Sequence, residues 1–122
     1  MLVVDDQEPY RRAMATVVDA TEGFVVVGSV ASGEESLVAA AELEPELVLM
    51  DVNLPGIDGV EAARRLTGRP GAPWVVLLST YDEDEFDLAG LEDATYVAKA
   101  MFGPDRLVEA WADAAGSRTD SV

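Results

Sequence analysis

The chain has 122 residues, 49% of them apolar and 26% charged, which describes one globular domain of ordinary size, able to bury a core without staples. It contains neither cysteine nor histidine, which excludes disulfides, thiolate or imidazole metal sites, cysteine nucleophiles and a histidine base. Asp and Glu number 24 against eight Lys and Arg, and the resulting net charge of −16 opposes binding to nucleic acid. No apolar run approaches the roughly 20 residues of a membrane span, and no apolar h-region with a cleavage site is visible, so the expected location is the cytoplasm.

The first apolar run, Met1–Val4, reads as a strand. Pro9–Ala20 follows with helical spacing of Tyr10, Ala13, Met14, Val17 and Val18, and stops before Gly23. Phe24–Gly28 is the second strand. Ser32-Gly33-Glu34-Glu35 then forms a capping box ahead of a helix over Glu34–Glu44, with apolar Leu37, Val38, Ala41 and Leu43. Leu47–Met50 is the third strand, and Asp58 caps a helix over Gly59–Leu66. Trp74–Leu78 is the fourth strand, followed by a helix over Glu83–Leu91. Thr95–Ala98 is the fifth strand. Gly103-Pro104 starts a last helix over Pro104–Ala115, which ends at Gly116 and buries a stripe of Leu107, Val108, Trp111 and Ala115. Residues 116–122 are small and polar, and read as a fraying tail or the start of a linker.

The strands are continuous apolar runs rather than alternating ones, as in a parallel sheet buried on both faces. Strictly alternating strands and helices imply a three-layer α/β fold with right-handed crossovers, and the length is too short for a barrel, which takes about 250 residues. Ligands of such open sheets bind beyond the carboxyl ends of the strands. The residues there are Asp5-Asp6, Ser29, Asp51, Ser79-Thr80 and Lys99, the only lysine in the chain. Each has an ordinary role when taken alone. Asp caps helices, Ser makes turns, and a Lys at a strand end extends its ammonium to water. Asp51 is the hardest to explain so, because it interrupts the apolar stretch Leu47–Val52.

Taken together, several carboxylates on one sheet edge repel one another, and a hard cation relieves that repulsion. Oxygen ligands without nitrogen or sulfur select Mg²⁺, Mn²⁺ or Ca²⁺. A lysine and a hydroxyl beside such an ion suit the remaining oxygens of a phosphoryl group, and the available nucleophile is a carboxylate.

The stretches Leu2–Asp6, Leu49–Gly59, Val76–Ser79 and Tyr96–Lys99 resemble the CheY-like receiver domain of bacterial response regulators. The likeness covers residues 1–115. Val26–Glu35 and Gly59–Leu66 are most similar to its NarL/LuxR-type subfamily, whose members carry a C-terminal helix-turn-helix domain. The resemblance implies a flavodoxin-like (βα)5 fold with strand order 2-1-3-4-5. It implies that Asp51 accepts a phosphoryl group from a sensor histidine kinase in a two-component phosphorelay, and that the domain is not itself an enzyme. Mg²⁺, with Mn²⁺ as a substitute, would be held by Asp5, Asp6, Asp51 and the backbone carbonyl of Asn53, with Asp5 acting mainly through a bound water. Ser79 and Lys99 would contact phosphoryl oxygens, and Ser79 with Tyr96 would form the switch. The output face would be the fourth helix, fifth strand and fifth helix, used for homodimer formation or docking. Residues 1–115 would be the receiver, and any regulation of transcription would pass through a DNA-binding domain outside this chain.

The sequence departs from the family in three places. Alanine rather than proline follows Lys99, the interval from Ser79 to Lys99 is short, and the first strand starts at Met1. The short interval favours the alternative of a receiver-derived interaction module that signals without phosphate. A haloacid-dehalogenase-type phosphohydrolase also uses a strand-end Asp, but it needs an acid where Asn53 stands. A flavodoxin-like carrier of flavin mononucleotide needs a hydroxyl-rich loop where Asp5-Asp6-Gln7-Glu8 stands. The acidic run 82–87 lacks the glycine and glutamate spacing of a calcium loop and reads as a charged helix start.

Overall fold

In a computed structural model of the chain, residues 1–67, 71–79, 91 and 93–120 are described, with side chains as far as 114. The predicted helix 83–91 except Leu91, the acidic run 82–87, Thr80 and the last two residues of the tail lie outside them.

Five strands form one parallel sheet: β1 (Leu2–Val4), β2 (Gly28–Val30), β3 (Leu47–Asp51), β4 (Trp74–Ser79) and β5 (Ala94–Ala98), in the order β2-β1-β3-β4-β5. This is the expected doubly wound order. The described helices are α1 (Glu8–Ala20), α2 (Gly33–Leu43), α3 (Gly59–Leu66) and α4 (Pro104–Asp120), with a 3₁₀ turn over Lys99–Met101.

Side chains along the central strands β1, β3 and β4 alternate between two buried layers. Leu2, Val4, Val48, Met50, Val75 and Leu77 pack with Ala39 and Ala40 of α2 and with Val60, Ala62, Ala63 and Leu66 of α3. Met1, Val3, Leu47, Leu49, Trp74, Val76, Leu78 and Val97 pack with Met14 and Val18 of α1 and with Leu107, Ala110 and Ala114 of α4. Both faces of the sheet are therefore covered, which is why the strands carry no polar stripe.

Local chemistry sets the helix starts. Asp58 accepts from the Glu61 amide at 2.8 Å, and Ser32 accepts from the Glu35 amide at 3.0 Å. Glu35 reaches back to the Ala31 amide, which completes the box one residue before the cap.

Three expectations need correction. The second strand is Gly28–Val30 rather than Phe24–Gly28. β1 meets β2 only from the Leu2–Gly28 pair onward, so Phe24–Val27 runs below the ladder, with Phe24 and Val26 packed inward and Val25 and Val27 exposed. In α2 the small residues Gly33, Ser36, Ala39 and Ala40 face inward, while Val38 and Leu43 are exposed. A side chain on Gly33 would collide with Ile57 and Ala62, so this helix packs through its smallest face. The last helix runs through Gly116 to Asp120 instead of stopping at Ala115, and Val108, expected in its buried stripe, is exposed. An internal glycine weakens a helix by about 1 kcal/mol without ending it.

Candidate functional site

Every strand runs toward the same edge of the sheet, and the chemistry-bearing residues gather there. The pairing Val3–Leu49 between β1 and β3 places Asp5 and Asp51 side by side, two residues further along the same register. Asp5 stays in line with β1, since its amide donates to the Val30 carbonyl at 3.2 Å. Both carboxylates are buried, and Asp6 beside them is exposed. Carboxylate oxygens of Asp5, Asp6 and Asp51 all lie within 4.8 Å of one another.

Each buried carboxylate is oriented by its own backbone. Asp5 Oδ1 accepts from the Gln7 amide at 2.8 Å, and Asp51 Oδ1 accepts from the Asn53 amide at 3.2 Å. These are Asx-type turns that fix the start of α1 and the loop after β3. The opposite oxygens face Lys99, whose Nζ lies 3.1 Å from Asp5 Oδ2 and 3.4 Å from Asp51 Oδ2. Although Nζ is close to Asp5 Oδ2, it lacks the alignment of a hydrogen bond, and among the described residues no other donor reaches that buried oxygen. A buried carboxylate oxygen with spare capacity is what a hard cation would use.

The ionisation of the cluster reflects this crowding. Burial pushes the Asp51 carboxyl above the ordinary aspartate range, the neighbouring Asp5 charge pushes it further, and Lys99 opposes both. Burial alone would lower the Lys99 ammonium, but its close contact with Asp5 and the charges of Asp51 and Asp5 outweigh it and raise its pKa. Three carboxylates against one ammonium leave the cluster net negative, and its ligands are all oxygen. The chemistry of the donor set therefore fits Mg²⁺ or Mn²⁺.

The remaining expected residues fall nearby. Ser79 ends β4 and is fully buried. Tyr96 is partly buried and pairs with Leu77, so the alternation along β4 and β5 puts Ser79 and Tyr96 on the same sheet face as diagonal neighbours. Asn53 contributes its amide to Asp51. Alanine at position 100 continues into the 3₁₀ turn through a trans peptide.

Two features were not read from the sequence. Gly59, at the start of α3, packs directly on the strand that carries Asp51. A Cβ there would stand 2.1 Å from the Asp51 carbonyl oxygen, and the Gly59 amide donates to Val52 O at 2.9 Å. Tyr10 was assigned to the apolar stripe of the first helix, but it is 48% exposed and its ring centroid lies 4.2 Å from Lys99 Nζ. Only the spacing of Tyr10 from Asp5-Asp6, one helical turn on, signals its nearness to the site.

A doubly wound parallel sheet with strand-end carboxylates and a lysine converging at its ligand-binding edge defines a receiver-type α/β domain. The family profile of the response regulator receiver domain matches residues 1–112, and the chain belongs to that family. Over 112 residues it is 40% identical to response regulator GacA of Pseudomonas protegens, a match that covers 90% of this chain and 52% of that protein. A LuxR-family two-component response regulator from Aurantimonas superposes with a TM-score of 0.79 at 30% identity, covering 94% of this chain and 84% of the other. The signal receiver domain of a NarL response regulator from Mycobacterium tuberculosis gives 0.78 at 25% identity, covering 94% of each chain. This chain spans about half the length of the GacA protein it matches. It is a receiver domain of two-component response regulators, a class of signalling domain. Among the described residues, no helix is long and apolar enough to cross a membrane.

Proposed function

We propose that this domain accepts a phosphoryl group on Asp51 from a histidine kinase in a Mg²⁺-dependent reaction. The observation that carries the reading is the convergence of buried Asp5 and Asp51 on Lys99, at 3.1 and 3.4 Å, with Asp6 beside them. Asp5, Asp6 and Asp51, with the Asn53 carbonyl, are the residues that would hold the ion. When bound, Mg²⁺ (or Mn²⁺) supplies positive charge that offsets the negative charge of the transferring group.

A carboxylate oxygen of Asp51 forms the new bond to phosphorus, and the bond to the donor group breaks with its electron pair leaving on the donor. Lys99 turns from the carboxylates to a phosphoryl oxygen. The Ser79 hydroxyl donates to another, and its movement frees space for Tyr96 to turn inward. The signal passes to the face made of the predicted helix 83–91, β5 and α4, where it changes self-association or docking. Residues 1–115 act as the receiver, and regulation of transcription would pass through a separate DNA-binding output domain, as in the LuxR-type regulators it resembles. The site of action is the cytoplasm.

Amide NMR with beryllofluoride tests this reading. With Mg²⁺ present, shifts are expected at Asp5, Asp6, Asp51, Asn53, Ser79 and Lys99, spreading to Tyr96 and α4. Shifts at the acids with none at Ser79, Tyr96 or α4 would favour a module that signals without phosphate.

A further inference from the structure

Lys99 is held from three sides. Two carboxylates face its ammonium, and the ring of Tyr10 lies against it at 4.2 Å. The lysine side chain is only 16% exposed, whereas Tyr10, in the first turns of α1, is half-exposed. The ring is therefore the most exposed of the three groups around the ammonium.

These partners respond differently to a bound dication. Once the carboxylates are neutralised, their pull on the ammonium falls, and the added positive charge repels it. The negative face of an aromatic ring keeps its attraction for a cation under either condition. We propose that Tyr10 is a positioning residue that keeps the Lys99 ammonium at the mouth of the site when the acids are occupied, ready for a phosphoryl oxygen. This rests on the phosphoacceptor reading above. Leucine at position 10 would fill similar volume without the quadrupole, and phenylalanine would retain it.

Lys99 is the only lysine, so ¹³C-lysine labelling of the intact chain gives a single ε-methylene signal. In wild type and Tyr10→Phe this signal is expected at the upfield position of a group over a ring, with and without Mg²⁺, and in Tyr10→Leu at the ordinary lysine position. Beryllofluoride binding, read from the same samples, is expected to weaken about fivefold in Tyr10→Leu and to stay unchanged in Tyr10→Phe. The apparent Mg²⁺ affinity should not weaken in either variant. An ordinary lysine shift in wild type overturns the inference. So does equal beryllofluoride binding by wild type and Tyr10→Leu, or equal weakening in both variants. A wild type that ignores beryllofluoride overturns the phosphoacceptor reading itself, and the role of Tyr10 with it.

Discussion

Asp5 and Asp51 are held as a matched pair across neighbouring strands. Each accepts at Oδ1 from the amide two residues further on, Gln7 or Asn53, and each turns Oδ2 toward the shared ammonium of Lys99. The backbone thus orients both acids, while one cation offsets two buried negative charges. This arrangement is poised to take another cation and is electrostatically costly without one.

The raised pKa of Asp51 makes that cost visible in stability. The folded chain holds the Asp51 proton more tightly than the unfolded chain does. Stability is therefore lost as pH rises from the ordinary aspartate value through the raised folded one. In metal-free buffer at neutral pH, Asp51→Asn is expected to denature at higher urea than wild type, and the gain should vanish in acid. A variant less stable than wild type at neutral pH would contradict the crowding.

Lys99 works in the opposite sense. Lys99→Met leaves Asp5 and Asp51 facing each other with no cation between them. Removing one member of a buried ion pair costs about 3 kcal/mol, and urea denaturation in metal-free buffer should show a loss near that size. The raised lysine pKa means this contribution is complete at neutral pH and declines only in strong alkali. A loss well under about 1 kcal/mol would indicate an exposed surface pair instead.

Gly59 is expected to resist substitution for a packing reason. An alanine Cβ would meet backbone atoms of Asp51 and Val52, which cannot rotate away. Overpacking costs about 1–3 kcal/mol and outweighs the gain in helix propensity of about 1 kcal/mol. Gly103→Ala is the control, because no atom lies within 4 Å of its Cβ position. Thermal melts should separate the two, and equal melting temperatures would deny the close approach of α3 to β3.

Much of this architecture is legible in the chain because independent signals agree. The helix Gly59–Leu66 shows both its apolar period and its Asp58 cap, and its observed bounds match. Asp51, Ser79 and Lys99 announce themselves as polar groups closing apolar runs. What local pattern misses depends on distant partners. Phe24–Val27 is as apolar as a strand, but its ladder is decided by where β1 lies. In α2, alanines and larger residues offer competing stripes, and close packing against the Ile57 loop and α3 selects the smaller one. Tyr10 fits a core stripe by spacing, and only the folded chain brings Lys99 beneath it.

Asp6 offers a test of the ion. It is exposed, so Asp6→Ala should fold with little change in metal-free stability. Wild type should melt at rising temperature as Mg²⁺ is added, by the mass action of a ligand that binds only the folded state. Asp6→Ala should lose most of that response. An undiminished response would place the ion elsewhere.

The central claim is tested most directly by intact mass after incubation with acetyl phosphate and Mg²⁺. The account predicts one added phosphoryl group on wild type, none without Mg²⁺ and none on Asp51→Asn. Equal labelling of wild type and Asp51→Asn, or no labelling of wild type under any condition, would contradict it.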